Sequence, residues 1–185
     1  MSNPYLSRPV RCSDTFCKNA IVMAGAVFVG LLLAAISVRD VEPSREVLRY
    51  ITTGFLKTLD DCKHELNLSD HIITDLYHYW KQEYDMLDKD VGCVILCMSK
   101  KLNLVDTSGR LHHGSAKDFA VQHGAAESVA DKLVEMLHEC EKQSLTIEDS
   151  CVRTLEVAKC FRTNIRDLDW SPKVDVIVSE ILTVV

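Results

Sequence analysis

Apolar residues recur along most of this chain with the 3.6-residue period of an amphipathic helix. Leu48, Ile51, Phe55 and Leu59 keep that spacing in a first stretch. Ser69 then reads as an N-cap ahead of Ile72, Ile73, Leu76, Tyr77 and Trp80 on one face. Val91, Val94, Ile95, Met98 and Leu102 mark a third helix, and residues 115–123, with Phe119 and Ala120, a short fourth. Val129, Leu133, Met136, Leu137 and Cys140 mark a fifth; Val152, Leu155, Ala158, Phe161 and Ile165 a sixth. The stripe is clearest after Trp170-Ser-Pro172, where Val174, Ile177, Val178, Ile181, Leu182 and Val185 share a face that excludes Asp175 and Glu180. That tail fits either a permanent core helix or an element that docks and undocks. No stretch alternates with period two, so the expected fold is all-α, with six to seven helices.

The N-terminal pattern is different. Ala20 to Ser37 is an uncharged apolar run preceded by Arg8, Arg11 and Lys18, the layout of a secretory signal. It falls slightly short of the roughly 20 residues of a membrane span, which is the competing reading. Small residues, Ala35 and Ser37, lie at its end. The expected division is a leader over 1–43 and a secreted domain over 44–185. Met23 is in frame and would start a leader of ordinary length, which leaves residues 1–22 open to being a non-native extension.

Composition narrows the function. A hydrophobic fraction of 47% argues for a packed core, and four prolines with seven glycines leave long stretches free to be helical. The formal net charge is −6, and residues 44–185 hold 17 basic against 24 acidic side chains. Such a domain lacks the basic surface that nucleic-acid binding needs.

Of eight cysteines, Cys12 and Cys17 fall in the leader; Cys62, Cys93, Cys97, Cys140, Cys151 and Cys160 form an even set in the domain. Behind a secretory leader they read as disulfides. Cys93 and Cys97 sit one helical turn apart on one face, whereas Cys151 and Cys160 leave opposite faces of their helix, as if clamped to two neighbours. Spacing alone cannot choose among the roughly 15 pairings of six cysteines. Staples in a domain of this size fit a hollow interior, since a void of about 300 Å³ costs several kcal/mol and a disulfide contributes about 2–4 kcal/mol. They fit equally the general habit of secreted proteins. Cys62-x-His64 and Cys93-x-x-x-Cys97 lack the paired-ligand pattern of zinc modules, so no metal and no cofactor is expected.

Catalytic patterns are absent from the sequence: no Gly-x-Ser-x-Gly, no His-Glu-x-x-His, no phosphate loop, and no His-Asp pair flanked by cysteines with a calcium loop. Asp70-His71 reads as a helix N-terminus with a solvated histidine, and the chain is not expected to be an enzyme. The seven histidines all lie in the domain; together they would let it respond between about pH 5 and 7, because imidazole titrates near 6.5.

The cysteine steps of 31, 4, 43, 11 and 9 residues resemble those of the insect odorant-binding proteins, and specifically the moth pheromone-binding group. The likeness covers 44–185 and includes Leu59-Asp-Asp-Cys62-Lys, Tyr79-Trp80-Lys, Gly92-Cys-Val-Ile-Leu-Cys97-Met-Ser99, Leu111-His-His-Gly114, Phe119-Ala-Val-Gln-His-Gly124-Ala and Val157-Ala-Lys-Cys160-Phe161. The resemblance implies interlocked bridges Cys62–Cys97, Cys93–Cys151 and Cys140–Cys160 around a central apolar pocket. It implies that Phe55 and Phe161 sandwich the ligand chain and that Ser99 hydrogen-bonds an alcohol, aldehyde or ester head. Thr52, Ile95, Trp80, Leu111, Phe119 and Leu137 would add wall contacts. It further implies a tail that enters the pocket at acidic pH and expels the ligand, triggered at His112, His113 and His138 with Asp175 and Glu180. Val184 stands where relatives often carry another acid, which points to a weaker or shifted switch.

The function so implied is an extracellular carrier of pheromones or odorants through sensillar lymph to olfactory receptors, with transient contact at the receptor membrane. Ligand identity and a homodimer stay open. The alternative is a secreted helical protein whose disulfides stabilise a solid core for a structural or signalling role.

Overall fold

The computed structural model of the protein describes residues 43–184. Apart from Pro43, the expected leader over 1–43, with its apolar run, Met23, Cys12 and Cys17, lies outside the described residues. Eight α-helices follow one another among them: α1 Pro43–Leu56, α2 Leu59–Glu65, α3 His71–Lys81, α4 Asp90–Lys101, α5 His113–Gln122, α6 Glu127–Gln143, α7 Ser150–Asp167 and α8 Val174–Val184. A 3-10 turn, Tyr84–Met86, sits between α3 and α4. The all-α expectation holds. Among the described residues the nearest thing to a strand is one antiparallel bridge, Val105 to Leu111, which closes the loop between α4 and α5.

The first apolar stretch is broken in two at Lys57-Thr58. Thr58 turns its hydroxyl back to donate to the Phe55 carbonyl at 3.3 Å, and the redirected α2 buries Leu59 and Cys62 completely. Ser69 stands one residue ahead of the cap: α3 starts at His71 with Asp70 at the cap position, and Ser69 Oγ accepts the His71 N–H at 3.3 Å. His71 is exposed, as expected of a helix N-terminus. The longest helix, α7, is capped by Asp149, whose Oδ1 accepts the Cys151 and Val152 N–H groups at 2.9 and 3.1 Å.

Three disulfides tie the helices: Cys62–Cys97 joins α2 to α4, Cys93–Cys151 joins α4 to α7, and Cys140–Cys160 joins α6 to α7. Cys93 and Cys97 take different partners, and α7 is clamped on both sides by its two cysteines. Gly92 lets α4 and α7 meet beside the middle bridge; a Cβ there would collide with the Cys151 carbonyl and lie 2.9 Å from Leu155 Cβ.

Two apolar clusters result. One gathers α2, α3 and α4 with Leu155 of α7 and Ile177 and Ile181 of α8; the other gathers Leu48 of α1, Ala120 of α5, Ala130 and Leu133 of α6 and Ile165 of α7. The tail helix α8 packs on α1 and α3, burying Ile177 and Ile181 while Leu182 stays 62% exposed.

Candidate functional site

A cavity of about 240 Å³ lies where residues of both clusters face each other. Thr52 and Phe55 reach it from α1, Trp80 from α3, Ile95 and Ser99 from α4, Phe119 from α5, Leu137 from α6 and Phe161 from α7; Leu111 comes from the α4–α5 loop. All nine residues anticipated from the sequence therefore share one wall surface. The convergence follows from helical spacing. Ile95 and Ser99 are one turn apart on α4, and Thr154, Ala158, Phe161 and Ile165 form a single stripe along α7. No residue of α8 lines the cavity among the described residues.

Few polar groups interrupt the wall. Ser99 Oγ–H donates to the Ile95 carbonyl at 2.8 Å, leaving its lone pairs as acceptors toward a guest. Tyr79 donates its hydroxyl to the Ala158 carbonyl at 2.9 Å, and burial pushes its phenol far above the usual range, so it stays neutral. Glu141 accepts the Leu111 N–H at 2.9 Å and lies 3.2 Å from Arg110 Nε. Arg153 donates to the Ile147 and Ser108 carbonyls at 2.8 and 3.4 Å.

Arg162 is different. It is 4% exposed, its Nη2 donates to the Trp80 carbonyl at 2.8 Å, and its guanidinium lies 5.0 Å from the centre of the Trp80 ring. Nε and Nη1 are buried without a protein acceptor. Burial lowers its pKa from the usual arginine value.

Sequence reasoning missed Tyr79, Glu141 and Arg162 as wall residues. Charged residues on an amphipathic helix ordinarily read as a solvated face. The signal for Arg162 was its place eight residues after Thr154, close to the face that also carries Ala158 and Phe161.

The expected switch residues fall into two groups. His112 caps α5, its Nδ1 accepting the Ser115 N–H at 3.2 Å. His113 stacks on His138 with ring centroids 5.3 Å apart and Nδ1 to Nε2 at 3.2 Å, and His138 Nδ1 is 3.6 Å from Glu141. On the tail, Asp175 is exposed, and Glu180 lies 3.5 Å from Arg49 of α1. Hydrogen bonding to Glu46 raises the Arg49 pKa. Among the described residues no hydrogen bond or ion pair joins the tail carboxylates to the histidines. No cluster of three His, Cys, Asp or Glu side chains is poised to hold a metal among them.

With this geometry in place, comparison with known proteins gives a consistent result. The PBP/GOBP family profile matches residues 46–164. The chain is similar to pheromone-binding protein 2 of Epiphyas postvittana, at 43% identity over 142 residues, covering 77% of this chain and 86% of that protein. It is similar to general odorant-binding protein 2 of Bombyx mori, at 34% identity, covering 81% and 94% respectively. Among solved structures, pheromone-binding protein 3 of Epiphyas postvittana matches with a TM-score of 0.59 at 62% identity, covering 62% of this chain and 98% of that one.

Proposed function

Because the chain belongs to the PBP/GOBP family, we propose that it is a secreted carrier of small hydrophobic odorants or pheromones. The observation that carries this reading is the apolar cavity, at about 240 Å³ somewhat below the usual range of about 300–1,000 Å³ for sites of drug-sized ligands. Such a volume suits a slim aliphatic chain. Burying each methylene yields about 0.8 kcal/mol before the costs of association. The solid-core alternative has no use for this space.

The ligands are long-chain alcohols, aldehydes or acetates, held with the chain between Phe55 and Phe161 and the head at Ser99. The Ser99 proton on Ile95 makes an alcohol the best match, because its O–H can donate to the free lone pairs. An aldehyde or ester carbonyl needs the serine proton to leave Ile95 first. Binding protects such molecules from water on their way through the sensillar lymph to olfactory receptors.

Release at acidic pH runs through the histidines and the tail. The His113–His138 contact needs one lone pair between two ring nitrogens, so protonating both imidazoles removes it and sets like charges face to face. Glu141 links that pair to the cavity rim at Leu111. Protonating Glu180 would remove the ion pair to Arg49, leaving α8 held by the burial of Ile177 and Ile181.

Displacement of N-phenyl-1-naphthylamine by straight-chain alcohols, aldehydes and acetates tests the reading. Competitive displacement at about pH 7 and weakened binding near pH 5 are expected. A protein that never takes up the fluorophore is not a carrier.

A further inference from the structure

Resting on that carrier reading, we infer that the cavity also takes long-chain carboxylates, with Arg162 receiving the ionised head group. Three observations converge on this residue. It lies on the wall of the cavity and is 96% buried by its 4% exposure. Its Nε and Nη1 have no protein acceptor, and only Nη2 is engaged, with the Trp80 carbonyl. The titratable groups facing it are Tyr79 from α3, Tyr84 from the 3-10 turn and Arg166 from its own helix. Two are phenols and the third is a like charge, so among the described residues no carboxylate pairs with it.

A buried cation in that condition is costly to the empty protein. An anionic oxygen brought in by the ligand supplies the missing partner, and a charge-assisted hydrogen bond is about twice as strong as a neutral one. The other arginine on the wall is already engaged: Arg153 spends its guanidinium on the backbone carbonyls of Ile147 and Ser108. Arg49, which also has a buried free Nε, is paired with Glu46. Among the described residues, Arg162 alone joins burial, place on the wall and an unmet charge. Planar and sp², the carboxylate also fits beside a guanidinium that rests on the Trp80 ring. The aliphatic chain runs over the same apolar wall as for a neutral ligand, and only the head is read differently.

The test is competition of tetradecanoic acid and tetradecanol against N-phenyl-1-naphthylamine in the wild type, Arg162→Met and Arg162→Lys. The wild type is expected to prefer the acid by about tenfold, Arg162→Met to lose that preference while still binding the fluorophore, and Arg162→Lys to keep part of it. Equal affinities in the wild type, or a preference that survives in Arg162→Met, overturn the assignment and leave the carrier reading intact. Failure to bind the fluorophore at all overturns both. Should Arg162→Met not fold, carbon-13 NMR of carboxyl-labelled tetradecanoic acid on the wild type decides alone. At about pH 7, where a carboxyl buried among apolar side chains without a cation would be protonated, an ionised bound head group supports Arg162 and a protonated one sinks it.

Discussion

Glu141 of α6 fastens the cavity rim at Leu111, its Oε1 accepting that residue's backbone N–H at 2.9 Å. The residue is 9% exposed, and its carboxylate also faces Arg110 and His138. Removing it leaves a backbone donor without a partner, at about 1–3 kcal/mol. Glu141→Ala is expected to lower stability on that scale, to speed hydrogen exchange at the Leu111 amide and to shorten fluorophore residence. Glu141→Gln keeps an acceptor oxygen and is expected to fall between. An unchanged Leu111 exchange rate in Glu141→Ala would show that the rim is held elsewhere.

Phe55 and Phe161 enter the cavity from different helices, α1 and α7. Each ring offers a guest roughly 1.5–3 kcal/mol of apolar burial. Phe55→Ala and Phe161→Ala are each expected to weaken fluorophore binding by about tenfold or more, read by fluorescence titration. Two variants with wild-type affinity would contradict a ligand chain lying between them.

Ser99 offers a prediction about head groups. With its proton on the Ile95 carbonyl, it accepts from an alcohol more readily than it donates to an ester. Ser99→Ala is expected to weaken a long-chain alcohol by about three- to tenfold, the scale of one neutral hydrogen bond, and the matching acetate less. Displacement curves for the pair measure the difference. Equal losses for both would mean that the hydroxyl does not discriminate.

Much of this was legible in the sequence, for a physical reason. Helical periodicity marks which side chains face inward, so the stripe through Ala158, Phe161 and Ile165 could be read before any coordinates. The break at Lys57-Thr58 was not legible, because Phe55 and Leu59 keep helical spacing across it and the redirection serves the packing of α2. The pairing of the six cysteines could not be read from spacing and came from the resemblance. Arg162 stayed hidden because whether an arginine on a helix meets water or a cavity depends on neighbours far away in the chain. The tail shows the same limit: its stripe identified a helix, and its packing on α1 and α3 is a tertiary fact.

Gly92 marks where α4 and α7 approach most tightly beside Cys93–Cys151. A Cβ there would meet first the Cys151 carbonyl, which is backbone and cannot rotate away, and then Leu155 Cβ. Overpacking of this kind typically costs about 1–3 kcal/mol. Gly92→Ala is expected to lower the thermal midpoint by that equivalent, or to block folding with native disulfides. A variant with the wild-type midpoint would mean that the helices can separate freely there.

The turn before Leu111 sets a limit on what acid can do to the rim. Asp106 Oδ1 accepts the Ser108 hydroxyl at 2.7 Å, the Ser108 N–H at 2.8 Å and the Arg110 N–H at 2.9 Å. Chiefly through the Ser108 hydroxyl, and then the Arg110 amide, these bonds hold the Asp106 carboxyl below its ordinary value. A folded-state pKa that is depressed contributes stability above the unfolded value of about 3.9 and loses it as pH falls through the lower folded value. Asp106→Ala is therefore expected to lower the thermal midpoint equally at about pH 7 and 5, with the gap to wild type closing below about pH 4. Release of a fluorophore between pH 7 and 5, if it comes from the histidines, must survive in this variant, because the turn itself does not titrate there. Thermal melts across that range, run beside retention of bound fluorophore, separate the two. A gap that closes between about pH 7 and 5 would move the acid response from the histidines to this turn.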